Sequence, residues 1–211
     1  MTATHTPLGP SPGHSLPAAI ADTVTALSMT VGRGRTARFV ADLAALGACD
    51  RVVDVGCGPG TAVREARRRG AAQVTGVDPS PQALRLARAL TAAGGRGSGI
   101  AFVEGTAEHL PLPDAGADVL WSLSAVHHWQ DQEGGLAEAR RVLAPGGRLL
   151  LVERLTAPGA RGHARHGLTE EQARALVGAV ARAAFADVII QMHKAGRRTL
   201  VVVTGTAPSS S

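Results

Sequence analysis

Aromatic residues and cysteines are scarce in this chain, and both absences limit what it can do. Three Phe, two Trp and no Tyr make up 2% of its 211 residues, and Asn is absent altogether. So few rings cannot supply the stacking platform on which proteins hold single-stranded nucleic acid. The two cysteines, Cys49 and Cys57, are too few for a disulfide framework, and neither a CxxC pair nor a histidine-rich cluster has zinc spacing. We therefore expect a reducing, cytoplasmic setting and no metal ion.

Lysine is nearly absent as well: Lys194 is the single lysine among 22 basic residues, and the other 21 are arginines. The resulting net charge of +5 is of the sign that attracts nucleic acid. No aromatic residue is interleaved with the arginines of the runs at 67–69 and 197–198, however, so the sequence argues against a nucleic-acid partner. No apolar run reaches transmembrane length, which argues against a membrane partner. The oligomeric state carries no sequence signal.

The composition is that of one globular domain with short tails. Hydrophobic residues make up 45% of the chain and charged residues 18%, a balance that allows a sizeable core. Residues 1–15 are rich in Pro, Gly and Thr and predict a flexible tail, and residues 207–211 predict a second one. Residues 16–206 form the single domain between them. Within it, residues 16–47 are expected to form one or two helices over the open mouth of a sheet.

Short aliphatic runs alternate with segments of helical composition along the domain. These runs predict five strands at 51–55, 73–77, 100–104, 117–122 and 148–153, and the intervening segments predict helices at 60–69, 81–93 and 132–143. Ser80 and Thr169 are predicted helix N-caps, and residues 186–191 and 198–204 predict an antiparallel hairpin. Apolar runs joined by helical crossovers indicate a covered parallel sheet. The prediction is a doubly wound α/β fold, mostly parallel, with one antiparallel strand.

A glycine-rich turn, Gly56-Cys57-Gly58-Pro59-Gly60, follows the first predicted strand. In an open parallel sheet, ligands bind at the carboxyl ends of the strands, and these glycines permit a sharp turn and a close approach. The helix that follows exposes unpaired N–H groups, which favour a carboxylate or a phosphate. A dinucleotide site requires G-x-G-x-x-G, but Thr61 occupies the third glycine position. A nucleotide-dependent oxidoreductase is therefore only an alternative.

The D-x-G-x-G-x-G pattern from Asp54 to Gly60 resembles motif I of the class I S-adenosylmethionine (SAM)-dependent methyltransferases, in particular their small, single-domain, type 11-like members. Asp78 ends the second predicted strand. The family has an acidic residue there that accepts hydrogen bonds from both ribose hydroxyls of the cofactor, and a carboxylate has two oxygens with which to do so.

Two further segments extend this resemblance. Residues 105–111, GTAEHLP, resemble the adenine-binding segment after the third strand, with Thr106 in place of the usual Asp. Residues 138–147, EARRVLAPGG, match the signature that leads from a helix into the fifth strand. The likeness covers roughly residues 35–204. Several motifs in the right order make it specific for the class of cofactor, but they do not identify the substrate.

The resemblance implies a seven-stranded Rossmann-like sheet in the order 3-2-1-4-5-7-6 and SAM as the cofactor. The implied reaction is an in-line displacement that moves the sulfonium methyl group to a nucleophilic atom of the acceptor. The short link 154–168 and the absence of an N-P-P-[YF] motif favour an unidentified small-molecule acceptor. A SAM-binding regulatory protein without methyl transfer is the alternative. The implied cofactor-binding residues are Asp54, Gly56, Cys57, Gly58, Gly60, Asp78, Pro79, Thr106, Ala107, Glu108 and Ser122.

Two histidines follow the fourth predicted strand, where the resemblance places the transferred methyl group. His127 or His128 is the predicted general base, needed only if the acceptor is a hydroxyl or an acidic carbon. His128, Trp129 and Glu153 are the predicted substrate contacts. Histidines that merely shape the pocket are the alternative, because alignment and desolvation alone can drive methyl transfer.

The remaining candidates each have two interpretations. His163 and His166 lie in the link after the fifth strand, which either contacts substrate or is an ordinary loop. Cys57 is expected to fill space rather than to react, and Asp118 is expected to be a packing partner rather than a catalyst. With so few rings available, Trp121 or Trp129 is expected in the wall of the acceptor pocket.

Overall fold

Seven strands pair into one sheet. The computed structural model describes residues 33–95, 97–162 and 166–209. Its strands are β1 (Arg51–Val55), β2 (Gln73–Asp78), β3 (Ile100–Glu104), β4 (Ala117–Leu123), β5 (Leu143–Arg154), β6 (Ala186–Ala195) and β7 (Arg198–Thr206). Its helices are α1 (Arg33–Leu43), α2 (Thr61–Arg68), α3 (Pro81–Ala93), α4 (Gln132–Val142) and α5 (Glu170–Arg182), with a 3₁₀ turn at Val126–His128.

The strand order is β3-β2-β1-β4-β5-β7-β6, which confirms the predicted topology. Strands β1 to β5 pair in parallel, and β7 runs antiparallel to both β5 and β6. The order reverses between β1 and β4, and in open sheets ligands bind at such a reversal, beyond the carboxyl ends of the strands. The topology therefore brings the turns after β1 and β4 together at one edge of the sheet.

The connection from β3 to β4 contains no helix, and the sequence predicted none there, whereas the other connections between β1 and β5 are helical. Residues 105–116 make turns instead, with an isolated bridge between Thr106 and His109. Pro111 and Pro113 explain the difference, because each removes a backbone N–H donor and neither can stand inside a helix without breaking it.

Helices cover both faces of the sheet, and successive side chains of each strand alternate between them. On one face Val53 belongs to a buried cluster with Leu136 of α4 and Leu176 of α5. On the other face Val52 belongs to a second cluster, which includes Leu84 of α3. Burial on both sides is the physical reason why these strands are continuous apolar runs in the sequence.

The predicted helix N-caps are confirmed. The Ser80 hydroxyl accepts a hydrogen bond from the Ala83 N–H at 3.2 Å, with Pro81 at the first position of α3. Thr169 and Gln172 form a reciprocal capping box at α5, with bonds of 3.2 and 2.9 Å. These caps satisfy N–H groups that have no partner inside the helix.

The two predicted tails have different outcomes in the structure. Residues 1–32, which contain the predicted tail at 1–15 and much of segment 16–47, lie outside the described residues. At the other end Ala207, assigned from sequence to the second tail, is instead fully buried. Its N–H donates to the Gly147 carbonyl and its carbonyl accepts from the Gly146 N–H, both at 2.8 Å. Among the described helices, none is long and apolar enough to cross a membrane.

Candidate active site

The turn after β1 can only be built with glycine at its two ends. Gly56 has φ 76° and Gly60 has φ 73°, in the left-handed region that other residues rarely adopt. A Cβ at Gly56 would lie 2.4 Å from the Cβ of Ala125, and one at Gly60 would lie 2.8 Å from the Phe102 ring. The bare backbone of the turn therefore packs against the segment after β4 and against β3.

Asp78 holds this turn in place from the end of β2. One carboxylate oxygen accepts the Gly58 N–H at 2.8 Å, and the other accepts the Ser80 N–H at 2.9 Å. The side chain is largely buried, at 8% exposure. Each oxygen keeps a further acceptor position, so Asp78 can orient the glycine turn and still accept a ligand hydroxyl. Pro79, which follows it, is exposed at the rim.

A cavity lies between the glycine turn, β4 and α1. Its empty space, with the adjoining open solvent included, is about 350 Å³. Its lining consists of Thr36, Ala37, Asp54, Gly56, Cys57, Thr61, Ala62, Leu123 and Ser124. Three of these residues were expected from the sequence: Asp54, Gly56 and Cys57. Asp54 is 2% exposed, so it contributes a buried carboxyl group to the cavity.

The amino end of α2 points its polar groups at this cavity without a side-chain cap. Gly60 is the N-cap residue and supplies no side-chain acceptor. The hydroxyl of Thr61, the first helical residue, is buried and has no hydrogen-bond partner among the described residues. A buried polar group without a partner destabilises the protein by about 1–3 kcal/mol. A polar or anionic ligand group at this helix end would satisfy both the hydroxyl and the free N–H groups.

Cys57 is an inert part of the cavity wall. Burial, and then the negative charges of Asp54 and Asp78, raise the pKa of its thiol far above the usual range. The residue is 5% exposed. It stays a neutral thiol at any physiological pH, in agreement with the space-filling role expected from sequence.

Two predicted cofactor residues after β3 organise their own loop. One Glu108 carboxylate oxygen accepts the Gln130 N–H at 2.9 Å and the Asp131 N–H at 3.2 Å. Burial opposes ionisation of Glu108, but hydrogen bonds from backbone N–H groups and from the Thr106 hydroxyl hold its pKa below the usual value. Glu108 therefore ties this loop to the turn before α4. Ala107, between them, is buried.

Ser122 has a different place from the one expected. Its side chain is fully buried, and its hydroxyl donates to the Val55 carbonyl at 2.9 Å, which links β4 to β1. The next two residues, Leu123 and Ser124, line the cavity instead. The sequence motif predicted the end of this strand correctly. It did not resolve which of three successive side chains faces the cavity.

A histidine–carboxylate pair joins the 3₁₀ turn after β4 to the carboxyl end of β5. The two carboxylate oxygens of Glu153 are each 3.0 Å from Nδ1 of His127, and one is 3.3 Å from the His127 backbone nitrogen. Glu153 is 1% exposed. Because a carboxylate only accepts, we assign the ring proton to Nδ1, which leaves Nε2 with its lone pair. That Nε2 is buried and has no partner among the described residues. Glu153 thus positions His127, rather than contacting solvent.

His128 and His166 approach His127 to form a three-histidine cluster. The ring centroids of His127 and His128 are 4.0 Å apart, and each is 5.7 Å from that of His166. One ring nitrogen from each residue lies within 4.8 Å of those of the other two. The sequence shows no histidine cluster with zinc spacing, because these residues are not regularly spaced along the chain and meet only in the fold. His163 lies outside the described residues.

A known protein family matches the chain from β1 to β5. Residues 53–151 match the family described as the methyltransferase domain. Over these residues, a little under half of its length, the chain is similar to methyltransferases. The match begins within β1 and ends within β5, so it contains the glycine turn, Asp78, the loop after β3 and the histidines after β4.

Curated proteins that are similar to this chain align with it over part of their length. The chain is 34% identical over 123 residues to 27-O-demethylrifamycin SV methyltransferase of Amycolatopsis mediterranei, covering 58% of this chain and 45% of that protein. It is 42% identical over 104 residues to demethylmenaquinone methyltransferase of Deinococcus radiodurans, covering 49% and 42%. The chain thus spans less than half of these two relatives. The solved structure of the [4+2]-cyclase SpnF superposes with a TM-score of 0.72 at 20% identity, over 84% of this chain and 82% of that one, and shows the fold.

The two tryptophans differ in burial. Trp121 is fully buried in the core, so the expectation that it lines the acceptor pocket is wrong. Trp129 is half-buried and packs on α4, where a Cβ at Gly135 would lie 2.7 Å from its ring. Asp118 accepts two hydrogen bonds of 2.9 Å from the Arg51 side chain at the opposite edge of the sheet, as expected of a packing partner.

Six residues that line the cavity were not predicted from the sequence: Thr36, Ala37, Thr61, Ala62, Leu123 and Ser124. Thr61 and Ala62 directly follow the glycine motif, so their place at the helix N-terminus was a usable signal. Thr36 and Ala37 had no such signal, because α1 reaches the cavity only through tertiary packing against α2.

Proposed function

We propose that this protein is a SAM-dependent methyltransferase that acts on a small-molecule acceptor. The observation that carries the proposal is the polar set around the cavity after β1. Buried carboxylates at Asp54 and Asp78 stand beside an uncapped helix end with an unpartnered Thr61 hydroxyl. SAM carries a ribose, an ammonium group and a carboxylate, so its polar groups match these residues in kind. The residues present therefore fit the cofactor.

In this proposal each polar group of the cofactor has a protein partner. Asp78 accepts the ribose hydroxyls, Asp54 faces the ammonium group, and the amino end of α2 with Thr61 holds the carboxylate. The loop with Thr106 and Ala107 borders the adenine. When bound, SAM supplies an electrophilic methyl group on its sulfonium. The protein aligns the acceptor with that methyl group and excludes water.

The His127–Glu153 pair stands on the acceptor side of this arrangement. Glu153 fixes the His127 ring so that Nε2 can accept the proton of a hydroxyl or an acidic carbon. His128 and Trp129 border the same space and are proposed acceptor contacts. The names of the two relatives, a demethylrifamycin and a demethylmenaquinone methyltransferase, support a small molecule as acceptor.

The test has a binding arm and a turnover arm. Calorimetric titration of the full chain with SAM is expected to show saturable binding, and incubation with a panel of phenols, quinones and hydroxylated macrocycles to release S-adenosylhomocysteine. Binding without turnover on a broad panel would instead support the regulatory alternative. Binding of NAD(H) but not SAM would overturn the proposal in favour of an oxidoreductase.

Asp78 provides the variant that tests the cofactor site. Asp78→Ala is expected to weaken SAM binding by about 1–3 kcal/mol, or ~5- to ~150-fold in Kd, because the ribose loses its acceptor. Asp187→Asn, at an exposed position of β6, is the matched control and should bind as the wild type does. Equal affinity in the two variants would remove Asp78 from the cofactor site.

A further inference from the structure

We propose that His127, His128 and His166 bind a divalent transition-metal ion, with Zn²⁺ as the best fit. Three imidazole nitrogens within 4.8 Å of one another need only a small side-chain adjustment, because ligands of a tetrahedral zinc ion lie roughly 3.3 Å apart. Imidazole suits Zn²⁺, Co²⁺ and Fe²⁺, whereas Mg²⁺ and Ca²⁺ prefer oxygen ligands. The geometry therefore favours a transition metal.

Glu153 gives His127 the hydrogen-bonding arrangement of a metal ligand. In metal sites, a ligating histidine usually donates its other ring N–H to a carboxylate, which fixes the ring and strengthens the ligand. His127 has this arrangement already, with Glu153 at Nδ1 and a buried, unpartnered Nε2 on the other side of the ring. A metal ion at Nε2 would give that nitrogen the partner that the described residues do not supply.

The backbone holds the three rings at the carboxyl edge of the sheet. His127 and His128 form the 3₁₀ turn after β4, and Ser124, which lines the cavity, donates its N–H to Val152 of β5 at 2.7 Å. His166 stands at the end of the link after β5, where the Leu168 N–H donates to the Arg154 carbonyl at 2.9 Å. That bond closes the base of the link and keeps His166 opposite the other two rings.

Three protein ligands leave a coordination position open, as in catalytic rather than structural zinc sites. We infer that this position takes an oxygen of the acceptor, such as a phenol, an enol or a carboxylate. A hydroxyl bound there loses its proton to solvent more readily, because the cation stabilises the oxyanion. In the metal-bound protein His127 is a ligand, and the general-base role proposed above applies only to the metal-free protein. This role rests on the proposed function, but binding of the ion does not.

Metal binding can be measured without SAM or an acceptor. The full chain, stripped with EDTA and dialysed, is titrated with Co²⁺ while its visible d–d absorption is recorded, and with Zn²⁺ in competition. One ion per chain, with the intense absorption of four- or five-coordinate Co²⁺, is the expected result. Weak absorption of the octahedral aqua type, or no saturation, would overturn the proposal.

Variants locate the ion. His166→Ala and His128→Ala are each expected to weaken Co²⁺ binding by more than ~10-fold, and Glu153→Gln by ~10- to ~100-fold through His127. His193→Ala is the control and should bind Co²⁺ normally, because it removes a β6 histidine whose ring packs at a tilt of 55° against Phe39 of α1. Unchanged Co²⁺ absorption in His166→Ala would show that the ion lies elsewhere.

The two proposals fail separately. Co²⁺ binding by the wild type with no methyl transfer to any acceptor overturns the proposed function and leaves the metal site standing. Methyl transfer by the EDTA-treated protein, with no Co²⁺ absorption on titration, overturns the metal site and leaves the proposed function standing.

Discussion

Both carboxylate oxygens of Glu153 lie 3.0 Å from Nδ1 of His127, although the two residues are 26 positions apart in the chain. The contact exists because β4 and β5 are parallel neighbours, with Leu123 paired to Val152. Residues that follow paired positions in parallel strands leave the sheet at the same edge. The site at that edge is therefore a product of strand pairing, and its cofactor side and acceptor side can be tested independently.

Thr61→Val tests whether the unpartnered hydroxyl serves a ligand. Valine has the same shape and no polar group, so the free energy of unfolding should stay the same or rise by up to about 1 kcal/mol. SAM binding should weaken by about 0.5–1.5 kcal/mol, because the ligand loses a hydrogen bond. Urea unfolding and calorimetry measure the two effects. Thr91→Val is the matched control, since that hydroxyl is also buried without a partner among the described residues but lies in α3. It should not alter SAM binding, and an equal loss in both variants would contradict the assignment.

Gly56→Ala tests the steric demand of the turn. The left-handed backbone costs an alanine about 1–2 kcal/mol, and the contact with Ala125 adds about 1–3 kcal/mol of overpacking. Gly95→Ala carries a similar backbone strain, at φ 65°, but its Cβ would meet nothing within 4 Å. Urea unfolding should therefore show a larger loss of stability for Gly56→Ala. Equal losses would mean that only backbone strain matters and that the turn can move away from Ala125.

The reactivity of the two cysteines tests the burial of the cavity wall. Cys49 is exposed and Cys57 is buried, and burial together with Asp54 and Asp78 raises the pKa of the Cys57 thiol. A thiol-exchange reagent such as DTNB at pH 8 should modify one cysteine of the native chain quickly and both after unfolding in urea. Cys49→Ser should remove the fast phase. A fast phase that survives in Cys49→Ser would show that the cavity wall opens readily.

The Arg51–Asp118 pair should make stability depend on pH at the acid end. The Arg51 hydrogen bond and charge hold the pKa of Asp118 below the ordinary value of an aspartate, against the opposing effect of burial. The carboxylate therefore stabilises the fold above that value, and the stabilisation is lost as pH falls through the lower pKa of the folded state. Both side chains are about one-third exposed, so the effect is modest.

Asp118→Asn measures this contribution. The variant should be less stable than the wild type by about 0.5–1 kcal/mol at pH 7, and the difference should shrink below about pH 4. Urea unfolding of both proteins between pH 7 and pH 3 gives the comparison. A difference that is constant with pH would assign the effect to packing rather than to charge.

Much of the fold could be predicted from sequence because its signals are local. Strands such as β1 and helix starts such as Ser80 depend on neighbouring residues, and the glycine motif fixes the turn between them. The sequence predicted no helix after β3, and the prolines of that loop exclude one. Ser122 stays a predicted cofactor contact, although its buried hydroxyl bonds to the Val55 carbonyl and the next two residues line the cavity. A motif locates a turn to within a residue or two, but packing decides which side chain faces the cavity.

The sequence by itself determined the class of protein: a parallel α/β sheet, a glycine turn with acidic residues at Asp54 and Asp78, and a family whose motifs occur in order. The tertiary structure alone decided which distant residues meet. Glu153 reaches His127 across two strands, His166 joins them from the link after β5, and α1 brings Thr36 to the cavity. Local patterns record how each segment folds. Contacts between segments depend on strand pairing and helix packing, which are set only when the whole core is assembled.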